Sequence, residues 1–262
     1  MKPVCLVIGA GAGIGGTVGK KFAAEGYHAV LCRRSDEEGL QKLVSDIKAA
    51  GGEASGFLMN AVDDNAIEER VAEVEKDIGP IEVVIYNLGA QIGNRSLAET
   101  PPKTFELGWR MGTFGLYRLA RCLFPKMVER GSGTLLVTSA TAAMRGNAGQ
   151  HSHAAAMGGR RMLCQSLNAE FAPRGIHVAH ILVDGSVDAP DTLGKLLGPE
   201  KFQELRETQG AQDGLLLPEK IAETYFHVAR QHRSVWTHEL DLRAWTDVPW
   251  FNSSAIGRSV TI

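Results

Sequence analysis

Apolar residues recur along this chain in short unbroken runs separated by segments of helical spacing. Residues 4–8 (VCLVI), 28–32 (HAVLC), 54–59, 81–86 (IEVVIY), 134–139 and 176–183 (IHVAHILV) read as strands, and 235–242 as a last one. Between them, Leu40, Leu43, Val44 and Ile47 share one helical face, closed by Gly51-Gly52. Ile67, Val71, Val74 and Ile78 share another, stopped by Gly79-Pro80. Longer helical stretches are expected over about 102–130, over 151–171 and over 217–231, the last opening near Pro218. Strand and helix alternate over the whole length, which predicts a parallel sheet covered on both faces. With right-handed crossovers this is an α/β, doubly wound, Rossmann-type fold, read as a single domain over residues 1–262.

The first strand breaks into Gly9, Gly11, Gly13, Gly15 and Gly16 before a helical segment begins. Glycine permits unusual φ and close approach of backbone to phosphate, and a helix start offers free N–H groups. Strand, glycine turn and helix N-terminus therefore suit a dinucleotide pyrophosphate. Two registers fit, Gly11-x-Gly13-x-x-Gly16 and the wider Gly9-x-x-x-Gly13-x-Gly15. The turn should begin where the strand stops, which favours Gly9 as the first glycine. The second strand ends at Arg33-Arg34, where an acidic residue would hold the adenosine ribose hydroxyls. An arginine there suits a 2′-phosphate instead, so NADP(H) is expected rather than NAD(H). Asn60, after the third strand, stands where an adenine-contacting side chain is expected.

Composition narrows the partners. A net charge of −2 with scattered Lys and Arg gives no footprint for nucleic acid or an anionic membrane. Cys5, Cys32, Cys122 and Cys164 lack metal-like spacing and read as reduced thiols, in keeping with a cytoplasmic protein. The pairs His151/His153 and His177/His180 lack a third ligand, so no metal is expected, and His177 and His180 read as structural. There is no G-x-S-x-G elbow for a serine hydrolase, no signal peptide and no apolar run long enough for a membrane span.

Taken with Asn87-x-Gly89, the segment 135–171 and Ala172-Pro173-Arg174-Gly175-Ile176-His177-Val178, the wider glycine spacing resembles the short-chain dehydrogenase/reductase family over nearly the full length. The resemblance implies cofactor roles for Gly9, Gly13, Gly15, Arg33 and Asn87. It adds Gly185, in an Asp184-Gly185 pair where the family usually has Pro-Gly. It also implies a homo-oligomer, tetramer or dimer, through the helices at 102–130 and 151–171. By the same resemblance the segment 192–209, with Leu193, Leu196, Leu197 and Phe202, would cover a small apolar substrate as a lid, the alternative being a plain packing helix.

The catalytic positions differ. Threading puts His153 at the family's Tyr, Met157 at its Lys, Ala140 at its Ser and Gly112 at its Asn. Met157 carries neither charge nor donor. Imidazole titrates near ~6.5 and exchanges protons at neutral pH without a lysine's help, which makes His153 the candidate acid or base, with Ser152 beside it as a hydrogen-bond partner. Ser139 is the nearest hydroxyl, although successive residues of an extended strand point to opposite sides. Arg160 and Arg161, about one turn past Met157, are expected in a salt bridge or in solvent. The expected function is an NADP(H)-dependent oxidoreductase with an atypical active site. The alternatives are an isomerase, lyase or cyclase using His153, or a non-catalytic nucleotide-binding protein.

Overall fold

The computed structural model describes residues 2–89 and 95–251. Strands β1 (Val4–Ile8), β2 (His28–Arg33), β3 (Glu53–Leu58), β4 (Ile81–Tyr86), β5 (Gly133–Ala140), β6 (Ile176–Val183) and β7 (Glu239–Leu242) form one sheet. Its order is β3-β2-β1-β4-β5-β6-β7, parallel throughout. The helices are α1 (Ile14–Ala24), α2 (Glu37–Ala49), α3 (Ala66–Asp77), α4 (Pro102–Trp109) and α5 (Gly115–Arg130). They continue with α6 (His151–Phe171), the short α7 (Lys195–Leu197), α8 (Pro199–Thr208) and α9 (Pro218–Ala229).

The continuous apolar runs are explained by burial on both faces. In β1, Cys5 and Val7 pack with Phe22 of α1, Leu40 of α2 and Tyr225 of α9, while Leu6 and Ile8 pack with Ile67 of α3, Leu116 of α5 and Cys164 of α6. Parallel strands so covered keep no polar face, and each fully buried Val, Leu or Ile contributes ~1.5–3 kcal/mol. The expected faces of α2 and α3 are met: Leu40, Leu43, Val44 and Ile47 are buried, as are Ile67, Val71 and Val74. The helix faces expected to meet a second copy carry exposed Phe105, Trp109, Tyr117 and Met162.

Three expectations need correction. The last strand is half the expected length, because Arg233–Val235 form a 3-10 turn and Trp236 stacks on His177 with ring centroids 4.8 Å apart. The long helix over 102–130 contains a π turn at Arg110–Phe114. Segment 192–209, the expected lid, is broken into short pieces rather than continuous. A π turn at Pro190–Gly194, α7 and a glycine at φ +83° (Gly198) precede α8. Phe202 is buried against Gly194, whereas Leu196 is turned to solvent.

The β6 histidines are structural, as expected. His177 Nε2 lies 2.8 Å from the Thr237 carbonyl oxygen. His180 has no exposed surface, and its Nδ1 is 3.0 Å from Glu239 Oε2, a carboxylate that also accepts two hydrogen bonds from Arg161. Burial outweighs that carboxylate and pushes His180 down to about 4. In the unfolded chain the ring titrates near ~6.5, so between these values only the unfolded state takes up the proton. Stability should therefore be fully present above pH ~6.5 and decline as pH falls toward about 4. His177, also lowered by burial, adds to the same slope. The unfolding free energy from denaturant melts should change between these pH values by ~1–3 kcal/mol less in His180→Gln than in wild type. A variant that keeps the wild-type slope would contradict this assignment.

Candidate active site

The order of the sheet reverses between β1 and β4, and in such sheets ligands bind outside the strand ends at that point. A cleft of about 460 Å³ lies there, lined by the glycine turn, Arg33, Asn87, Thr138, Ser139, Ala140, His153, Met157 and Arg160 among others.

The turn is built as the sequence requires. Gly9 takes φ +100°, where an L side chain is strained and a Cβ would also strike the Asn87 carbonyl. Gly9 and Ala10 donate their N–H groups to the Cys32 carbonyl, and Asn87 Nδ2 donates to the Gly9 carbonyl at 2.9 Å. Asn87 thereby ties the end of β4 to the end of β1. Gly15 sits against both Gly9 O and Asn87 Nδ2, leaving no room for a Cβ. Gly11 is the opposite case: a Cβ there would meet nothing, so bare backbone faces the cleft. No side chain caps the start of α1 at Gly13. An open backbone cradle at an uncapped helix start fits a pyrophosphate.

Arg33 projects from the end of β2 into the same cleft. Its Nη2 lies 2.6 Å from Asp36 Oδ2 and 3.5 Å from Asp191 Oδ2. Asp36 is itself the N-cap of α2, accepting from the Gly39 N–H at 3.1 Å. A Cβ on Gly39 would come within 2.6 Å of Arg33 Nη1, so this glycine makes the guanidinium's seat.

At the other end, His153 opens onto the cleft from the first turn of α6, with Met157 one turn below it. Ser139 is buried, its Oγ directed at Met157 Sδ 3.9 Å away. Strand alternation therefore works in favour of Ser139: Thr138 faces the other layer, where its hydroxyl meets Tyr225 Oη at 2.7 Å. The Ser152 hydroxyl, which could have bonded a neighbouring histidine, donates to the Phe105 carbonyl at 3.1 Å. Gly185 does not line the cleft but packs beneath Asp247 and Leu216. Asn60 lies outside the lining as well and donates to Asp63 at 2.7 Å.

Arg160 corrects the sequence most. Arg161 does pair with Glu239, at 2.7 Å, but Arg160 is 1% exposed. It donates from Nε to Gly112 O (2.7 Å), from Nη1 to Thr138 O (2.6 Å) and from Nη2 to Leu88 O (2.8 Å). These carbonyls belong to the π turn and to the chain ends of β5 and β4. A π turn leaves a carbonyl without its i+4 partner, and here the guanidinium satisfies one. Thr113 Oγ1 donates to Ala156 O and Tyr86 Oη to Met111 O, so the π turn is fastened to both α6 and β4. Burial lowers the Arg160 pKa from its ordinary value, yet a guanidinium is basic enough to stay charged. The signal available in the sequence was spacing: Arg160 follows His153 by two helical turns and shares its face.

Among the described residues, no group of three or more His, Cys, Asp or Glu side chains is arranged to hold a metal ion, and no helix is long and apolar enough to cross a membrane.

The sheet order and the glycine turn at its reversal define the doubly wound α/β class. Within it, the chain belongs to the short-chain dehydrogenase/reductase family of oxidoreductases: a family model described as short chain dehydrogenase matches residues 3–191. The short-chain reductase protein NovJ of Streptomyces niveus is 30% identical over 240 residues, covering 90% of each chain. A short-chain dehydrogenase from Rhodopseudomonas palustris superposes with a TM-score of 0.77 at 30% identity, over 93% of this chain and 99% of that one. A point variant of actinorhodin polyketide ketoreductase with NADPH gives 0.81 at 24% identity, over 93% and 96%.

Proposed function

We propose that the chain binds NADP(H) and interconverts a carbonyl and a hydroxyl on a small, apolar molecule, with His153 as the proton carrier. One observation carries this: a single cleft joins the bare glycine backbone and Arg33 at one end to Ser139 and His153 at the other. When bound, the nicotinamide supplies or accepts the hydride. Arg33 would hold the 2′-phosphate, and the backbone from Gly9 to Gly15 would hold the pyrophosphate. Asn87 keeps that backbone in place through the Gly9 carbonyl. His153 would pass a proton to or from the substrate oxygen, and Ser139 Oγ would donate a hydrogen bond to it. Ala140, Met157, Val183 and Val187 make the adjoining wall apolar, which excludes water and favours an apolar substrate. Arg160 is committed to three carbonyls and so contributes a fixed positive field rather than a grip on ligand.

The deciding experiment is titration of the chain with NADPH and NADH. A charge-assisted contact to phosphate is worth ~1.5–3 kcal/mol, so NADPH should bind about one to two decades more tightly. Arg33→Ala should erase the difference. Equal affinities in wild type, or an unchanged preference in the variant, would reject the NADP(H) assignment. A second reading, proton transfer without hydride transfer, is favoured by Met157, which leaves the family's lysine position uncharged. It requires turnover that persists after all nucleotide has been removed.

A further inference from the structure

Arg33 is held from two sides, and the two carboxylates are not equivalent. Asp36 is part of the α2 cap and stays with it. Asp191 comes from the segment between β6 and α7, on the opposite wall of the cleft, and reaches the same Nη2 at 3.5 Å. Its other oxygen is 3.5 Å from Lys195 Nζ, four residues on. Asp191 and Arg33 also line a side cavity of about 290 Å³ beside the start of α2, so the pair stands between this cavity and the main cleft. Lys20 and Lys42, the other cations of the side cavity, already share Asp46 at 3.2 and 3.0 Å. A phosphate arriving at Arg33 therefore meets the Asp191 carboxylate at the nitrogen it needs, and like charges at that spacing repel.

We propose that Asp191 is a second determinant of cofactor choice: its carboxylate competes with the 2′-phosphate for Arg33 and weakens NADP(H) binding while leaving NAD(H) binding unaltered. This rests on the NADP(H) reading above. The phosphate must displace Asp191 from the guanidinium, whereas a bare ribose hydroxyl carries no charge to repel and leaves the pair intact.

The test is equilibrium titration of the full chain and of Asp191→Asn with four probes: NADPH, NADH, 2′,5′-ADP and 5′-AMP. In the variant, NADPH and 2′,5′-ADP should bind about three- to tenfold more tightly, with NADH and 5′-AMP within twofold of wild type. In an Arg33→Ala background the same substitution should gain clearly less for the phosphorylated probes, because only the direct repulsion between Asp191 and the phosphate is then relieved, and this difference isolates the pair from any general loosening of the segment. Equal tightening of all four probes, or no shift beyond twofold in the phosphorylated pair, overturns the proposal. Wild-type affinities that are equal for NADPH and NADH reject the underlying NADP(H) reading, and if they stay equal in Asp191→Asn this proposal falls with it. A wild-type preference that Asp191→Asn leaves untouched rejects the role of Asp191 alone.

Discussion

Arg160→Met is expected to lower the stability of the fold by ~3–5 kcal/mol, as read from the guanidinium chloride midpoint. The side chain is fully buried and is the common donor to Gly112 O, Thr138 O and Leu88 O. Methionine fills much of the volume but donates nothing. Each buried carbonyl left without a partner costs ~1–3 kcal/mol, and partial relaxation keeps the total below the simple sum. Lysine retains the charge, yet a compact ammonium cannot span three acceptors as a planar guanidinium does, so Arg160→Lys should fall between wild type and methionine. Arg161→Met is the matched control on the same helix. Its ion pair with Glu239 is only partly shielded, and its loss should cost ~1 kcal/mol or less. A cost below ~1 kcal/mol for Arg160→Met would mean that the π turn and the two strand ends hold their positions without it.

His153→Phe should reduce turnover by ~10²–10⁴-fold while leaving NADPH affinity near wild type. The side chain lines the cleft from α6, whereas Arg33 and the glycine turn line it from β2 and β1, so on the proposed reading its loss removes the proton carrier and leaves the cofactor contacts in place. Phenylalanine preserves the ring and abolishes titration. If imidazolium is the acid in carbonyl reduction, wild-type activity declines as pH rises and the acid form is lost. In the reverse direction, with imidazole as base, it rises over the same interval. The variant should show neither slope. Unchanged turnover in His153→Phe would reduce the histidine to a filler of the cleft wall.

How much of this was legible in the chain depended on the range of the physics involved. The apolar runs, the helical faces of α2 and α3 and the glycine turn are local statements. Period, length and the need for φ near +100° at Gly9 are written within a few residues of one another. Right-handed crossovers then leave few ways to assemble alternating strands and helices, which is why the sheet could be anticipated. Arg33 was found the same way, by counting from the end of one strand. Ser139 was half legible: alternation along β5 was the correct rule, but which face meets α6 is set by how the sheet is covered. Gly185 could not be placed by counting: Val183 and Val187 on either side of it line the cleft, while it packs beside Asp247 and Leu216.

The sequence by itself determined the doubly wound fold, the cradle at its reversal and the setting of His153 and Met157 one helical turn apart. Only the tertiary structure decided the surroundings of the arginines. Arg160 meets carbonyls 22, 48 and 72 residues away, and Arg33 meets Asp191 at a separation of 158. No periodicity encodes such pairs. A guanidinium looks the same in sequence whether it ends in water, on a carboxylate or among buried carbonyls, and the choice is made by which chain ends the packed sheet brings to it.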